Sequence, residues 1–85
     1  MVEITYVITH ELGIHARPAG QLVREVKAFE SNIQIGTPSK MVDAKRIMGV
    51  MALALKQNDT LTMTFDGADE KEASGATLSF LKANL

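Results

Sequence analysis

Val2-Glu3-Ile4-Thr5-Tyr6-Val7-Ile8-Thr9, followed after a short break by Ala16-Arg17-Pro18-Ala19-Gly20-Gln21-Leu22-Val23-Arg24-Glu25-Val26, sets the fold class. In the first run Val2, Ile4, Tyr6 and Ile8 alternate with Glu3, Thr5, Val7 and Thr9, the period of a half-buried strand. His10-Glu11-Leu12-Gly13 breaks it. From Ala16 the period changes: Ala19, Leu22, Val23, Val26 and Phe29 form one stripe of a helix. Pro18 falls in the first turn, where a missing N–H costs nothing. The stripe predicts a helix ending near Phe29 or Glu30, before Ser31-Asn32.

Downstream the same two periods recur. Ile33-Gln34-Ile35 reads as a short strand, Thr37-Pro38-Ser39-Lys40 as a turn, and Met41 to Ala44 as the return strand of a hairpin. Ile47 to Leu55, apolar nearly all round, predicts a short helix, and Lys56-Gln57-Asn58-Asp59 a polar turn. Leu61, Met63 and Phe65 alternate with threonines in the last strand. Asp69 and Glu72 have capping-box spacing ahead of a helix with the stripe Ala73, Ala76, Thr77, Phe80 and Leu81. The order is β-α-β-β-α-β-α: a two-layer α+β domain with a mainly antiparallel sheet, one face polar and the other packed by helices. Pattern alone leaves a ferredoxin-like βαββαβ arrangement with an added helix open.

The 85 residues suffice for a single domain, residues 1–85, with no linker or repeat. With 46% apolar residues and no cysteine, it must stabilise itself by packing. A net charge of −1 argues against nucleic acid. No apolar run approaches a membrane span, and the first residues lack a basic secretory leader, so the expectation is a cytoplasmic protein without membrane insertion. Charge is segregated: residues 15–56 hold seven bases and three acids, residues 57–85 two bases and five acids. The middle of the chain therefore suits an anion or an acidic partner.

Only two histidines occur, His10 and His15, and no pattern supplies the three or four ligands of a metal site. His15 has the more telling context. If the helix begins at Ala16, His15 is its N-cap, and the amides of Ala16 and Arg17 have no intrahelical partner. Free amides and the helix dipole favour an anion there, and the Arg17 guanidinium suits phosphate. An imidazole so placed can act as nucleophile toward a phosphoryl group; the blander reading is a surface histidine that caps a helix. Ile47-Met48-Gly49-Val50-Met51-Ala52-Leu53 carries more apolar side chain than one buried face can hide, so it is either core or an adaptable binding surface.

Gly13-Ile14-His15-Ala16-Arg17-Pro18-Ala19 followed by Lys45-Arg46-Ile47-Met48-Gly49-Val50-Met51 resembles HPr, the histidine-containing phosphocarrier family of the bacterial phosphotransferase system, and the likeness runs through Gly67-Ala68-Asp69-Glu70 to the end of the chain. The Ile47–Met51 form is closer to Gram-positive members. The resemblance implies an open-faced β-sandwich, four mainly antiparallel strands with three helices on one face. It implies a phosphoryl carrier rather than a stand-alone enzyme, with no cofactor beyond a transient phosphohistidine. Enzyme I, charged by phosphoenolpyruvate, would phosphorylate Nδ1 of His15, and the group would pass to sugar-specific IIA components, with Arg17 assisting and Pro18 shaping the helix start. Partners would dock on Gly20, Arg24, Lys27, Ile47, Met48, Met51 and Ala52, and the protein would act as a monomer. A regulatory paralogue, nitrogen-branch or catabolite-linked, and a non-phosphorylated interaction module are the alternatives.

Two departures stand out. Gram-positive relatives often carry a serine for an ATP-dependent kinase where this chain has Arg46, so no regulatory serine is expected here. Some members also end in an acid near the active-centre arginine; here the chain ends in Leu85, leaving its carboxylate for that role.

Overall fold

The computed structural model describes residues 1–85 and places β1 at Val2–Val7, α1 at Ala16–Lys27, β2 at Asn32–Thr37, β3 at Lys40–Asp43, α2 at Ile47–Ala52, β4 at Thr60–Asp66 and α3 at Glu70–Asn84. The four strands form one sheet in the order β1-β4-β2-β3, with every neighbouring pair antiparallel. A ferredoxin-like sheet would bring the first and third strands together; here β1 and β3 are the two edges, and β4 lies between β1 and β2. The architecture is the open-faced sandwich.

Register explains the two faces. Ile4 lies opposite Met63, and Met63 opposite Ile35; Val2 lies opposite Phe65, and Phe65 opposite Ile33. These side chains meet the helices, and Ile33, Ile35, Leu61, Met63 and Phe65 are fully buried. On the other face Glu3, Thr64 and Gln34 align across the sheet. Helix α1 contributes Pro18, Ala19, Leu22, Val23 and Val26 to the core, and α3 contributes Ala73, Ser74, Thr77 and Leu81. Seventeen buried apolar residues form one continuous cluster.

Three local expectations need correction. Helix α1 ends at Lys27 rather than near Phe29. Continuing it would need the amides of Glu30 and Ser31 in the helical ladder, but Asp69 takes both: Glu30 N donates to its Oδ2 at 2.8 Å and Ser31 N to its Oδ1 at 2.9 Å. Asp69 accordingly does not close a capping box on α3. It occupies the N-cap position without a side-chain capping bond, and its carboxylate, also accepting from the Ser31 hydroxyl, ties the α1–β2 loop to the α3 start. The Ser31 hydroxyl and the two amides hold the Asp69 carboxyl below its usual range. Helix α2 stops at Ala52, not Leu55. Leu53 and Ala54 close with tighter bonds to Val50 and Met51, Ala54 turns left-handed at φ 52°, and Leu55 is thereby delivered into the core.

Candidate functional site

The site is built on a loop that has little freedom. Gly13 sits at φ 64°, and a Cβ there would stand 2.5 Å from the Leu55 carbonyl oxygen and 2.7 Å from Lys56 Cα. Only glycine lets the loop lie this close to the Leu55–Lys56 backbone. The next residue fastens it: Ile14 N donates to the Leu55 carbonyl at 3.0 Å, and the Ile14 side chain is buried. His15 follows in extended conformation, φ −119° and ψ −177°, and its carbonyl accepts the first helical bond from Ala19 N at 2.9 Å.

His15 is the N-cap, as its position before the helical stripe predicts, but its side chain does not cap. The blander reading of a capping histidine therefore finds no hydrogen bond to support it. No protein group accepts from the amides of Ala16 or Arg17, and Pro18 has none. Arg17 is exposed and takes part in no ion pair. Pro18 and Ala19 are buried beneath, so the helix start rests on the core. The result is a half-buried imidazole beside two unpaired N–H donors and a free guanidinium, a set suited to a phosphoryl dianion.

An open depression of about 340 Å³ lies over this helix start, lined by His10, Leu12, His15, Arg17, Pro18, Gln21 and Asn84. His10, Gln21 and Asn84 are not marked out by sequence reasoning. Gln21 lies one helical turn from Arg17, a spacing that carries the signal; Asn84 arrives through the end of α3, which no local pattern reveals. The expectation that Leu85 supplies an acid to Arg17 fails. Its backbone oxygen accepts from Thr9 N at 2.6 Å, His10 N at 2.9 Å and Thr9 Oγ1 at 2.9 Å. Those bonds hold the end of α3 against the loop instead. No group of three or more His, Cys, Asp or Glu side chains converges anywhere in the molecule.

The second surface adjoins the first. Arg24 and Lys27 lie exposed on the outer face of α1, opposite its buried stripe. Only Val50 of α2 is buried; Ile47 is 39% exposed, Met48 77% and Met51 40%, and Ala52 is exposed as well. Gly20 is where the two helices meet: a Cβ there would lie 3.6 Å from Ile47 Cδ1. A hollow of about 560 Å³ beside α2 is lined by Lys27, Asp43, Lys45, Arg46, Ile47, Met48 and Gly49. Lys45 is tied down, its Nζ donating to the Phe29 carbonyl at 2.7 Å near the end of α1. Arg46 is the N-cap of α2, without a capping bond.

A family model described as "PTS HPr component phosphorylation site" matches residues 2–83. The phosphocarrier protein HPr of Lysinibacillus sphaericus is 43% identical over 76 residues, which are 89% of this chain and 86% of that protein. The crystal structure of an HPr from Thermoanaerobacter tengcongensis superposes with a TM-score of 0.92 at 36% identity, covering 98% of this chain and 93% of the other. The catabolite-repression protein Crh of Bacillus subtilis, crystallised as a swapped dimer, superposes with a TM-score of 0.78 at 32% identity, covering 100% of this chain and 98% of that one. The matched length and the fold agree, and the chain belongs to the HPr family of phosphotransferase-system phosphocarriers.

Proposed function

We propose that His15 accepts a phosphoryl group from phospho-Enzyme I and passes it to the IIA components of sugar uptake. The observation that carries this is the uncapped imidazole beside the unpaired amides of Ala16 and Arg17. In the forward step an imidazole nitrogen of His15, Nδ1 by family likeness, forms a bond to phosphorus as the bond to the donor's group breaks. The amides of Ala16 and Arg17 and the Arg17 guanidinium take up the charge on the phosphoryl oxygens. In the second step the acceptor's nucleophile attacks the same phosphorus and His15 leaves as free imidazole. No cofactor is needed, because the phosphoryl group enters and departs on protein side chains.

Partners dock on Gly20, Arg24, Lys27, Ile47, Met48, Met51 and Ala52. An exposed apolar patch flanked by cations suits acidic partners and speeds their encounter. The protein works as a monomer in the cytoplasm, where Enzyme I is charged; no helix is long and apolar enough to cross a membrane. Arg46 offers no hydroxyl, so the relay runs here without a phosphorylatable residue at the α2 start.

The test is incubation with phosphoenolpyruvate and Enzyme I, read by intact mass under alkaline conditions. Wild type and His10→Ala gain one phosphoryl group; His15→Ala, folded by circular dichroism, gains none. Undiminished labelling of His15→Ala overturns the assignment.

A further inference from the structure

His10 lies outside the docking surface and the helix start, yet its ring faces the site. The His10 and His15 ring centroids are 5.6 Å apart with planes inclined at 44°. Three bonds fix His10 in place. Its amide donates to the Leu85 oxygen at 2.9 Å, its carbonyl accepts from Gly13 N at 2.9 Å, and its Nδ1 accepts from Leu12 N at 3.2 Å. The last bond has a chemical consequence. With Nδ1 occupied as an acceptor, the neutral ring carries its proton on Nε2, so the ring is a donor without taking up a proton. No hydrogen bond engages Nε2. The depression lined by both rings contains Arg17, Gln21 and Asn84 but no carboxylate side chain, so no ionised acceptor competes there for that N–H.

We infer that His10 is a phosphoryl-contacting residue: Nε2–H of His10 donates to an oxygen of the phosphoryl group carried by His15, complementing Arg17 and the two amides. The inference rests on the phosphocarrier reading of His15. Its consequence is thermodynamic. A donor that meets the phosphoryl oxygens only after transfer stabilises phospho-His15 against the free imidazole, shifting the exchange with Enzyme I toward the phosphorylated carrier.

Two variants separate the donor from the ring. His10→Phe keeps a ring and removes the N–H; His10→Gln removes the ring and keeps an amide donor. Each is equilibrated with Enzyme I and limiting phosphoenolpyruvate, and the ratio of phosphorylated to free carrier is read by 31P NMR. The expected result is a ratio lowered roughly three- to tenfold in His10→Phe and within about twofold of wild type in His10→Gln. In parallel, the ring 15N–1H spectrum of the wild type should show the His10 Nε2–H signal shifting when His15 is phosphorylated. That readout requires no variant to fold. An unmoved Nε2–H signal overturns the inference, as does a His10→Phe ratio equal to wild type. Failure of the wild type to label at all overturns the phosphocarrier reading itself, which is a different result from labelling that ignores His10.

Discussion

At the start of α1, His15 stands in extended conformation with no side-chain cap; at the start of α2, Arg46 does the same. The two helices touch at Gly20 and Ile47. What differs is the ground beneath them. The first turn of α1 rests on buried Pro18 and Ala19, and the loop before it is fastened through Gly13 and Ile14 to the Leu55–Lys56 backbone. Helix α2 buries only Val50 and presents Ile47, Met48 and Met51 outward. An uncapped helix start on a rigid base is a preorganised anion site. One on a short half-exposed helix, headed by a cation, fits the contact surface proposed above. Neither N-cap side chain caps its helix; anchoring is what separates the two ends.

The hardest way to break this contrast is to loosen the α1 loop. Gly13→Ala must hold an L side chain at positive φ and push the Leu55 carbonyl away. The expected cost is about 2–3 kcal/mol, seen as a lower urea midpoint, together with slower phosphoryl transfer from Enzyme I. Full stability in Gly13→Ala would mean that the loop is not the rigid base described here. On α2 the same logic predicts the reverse pairing of effects. Met48→Glu places a charge on an exposed position, so folding stability should change by less than about 0.5 kcal/mol. Enzyme I binding, measured by calorimetry, should weaken about tenfold, since an apolar contact is lost and an acid is set against acidic partners. A large loss of stability with unchanged binding would make α2 core rather than contact surface.

How far these roles are legible in the sequence depends on whether the signal is local. The alternation of Val2, Ile4 and Tyr6 and the stripe from Ala19 to Val26 survive intact, because burial on one face imposes them residue by residue. The positions of His15 as N-cap and of Arg17 in the first helical turn are legible from where the helical stripe begins. Asp69 departs from its local pattern for the opposite reason. Its spacing to Glu72 fits a capping box, but Ser31 and the Glu30 amide, far off in sequence, compete for the same carboxylate and win. His10 is silent in sequence, since only the tight turn through Leu12 and Gly13 sets its ring beside His15. The length of α2 depends on where Leu55 must be delivered, which apolar periodicity does not encode.

Asp69 gives the contrast a third helix start, one whose side chain is spent on a distant loop. Its carboxyl titrates lower in the folded protein than in the unfolded chain, chiefly through the Ser31 hydroxyl. The stability it contributes is therefore complete above the unfolded carboxylate range and drains away as pH falls through the lower folded range. Asp69→Asn lacks that titration. Its urea midpoint should fall less steeply with acidification than that of the wild type, the two curves converging in acid. Parallel curves would show that ionisation of Asp69 contributes nothing to folding.

The smallest effect belongs to Arg46 and sharpens the comparison most. Arginine is a poor N-cap: it has no acceptor oxygen for the free amides of α2, and its charge opposes the positive end of the helix dipole. The nearby pair with Asp43, at 3.8 Å and with the arginine 82% exposed, is too open to offset this appreciably. Arg46→Ser supplies the missing acceptor and removes the cation, so the variant should be more stable by about 0.5–1 kcal/mol, measured by urea unfolding at low salt. Added salt should narrow the gap by screening the charge part and leave the capping part. The same variant presents a hydroxyl at the α2 start. An ATP-dependent HPr kinase should therefore label Arg46→Ser and leave the wild type unlabelled, by intact mass. If Arg46→Ser is less stable than wild type, the arginine is held by contacts that outweigh a cap. If the wild type itself gains an acid-stable phosphate, a serine or threonine elsewhere carries that chemistry, and the reading of Arg46 is wrong.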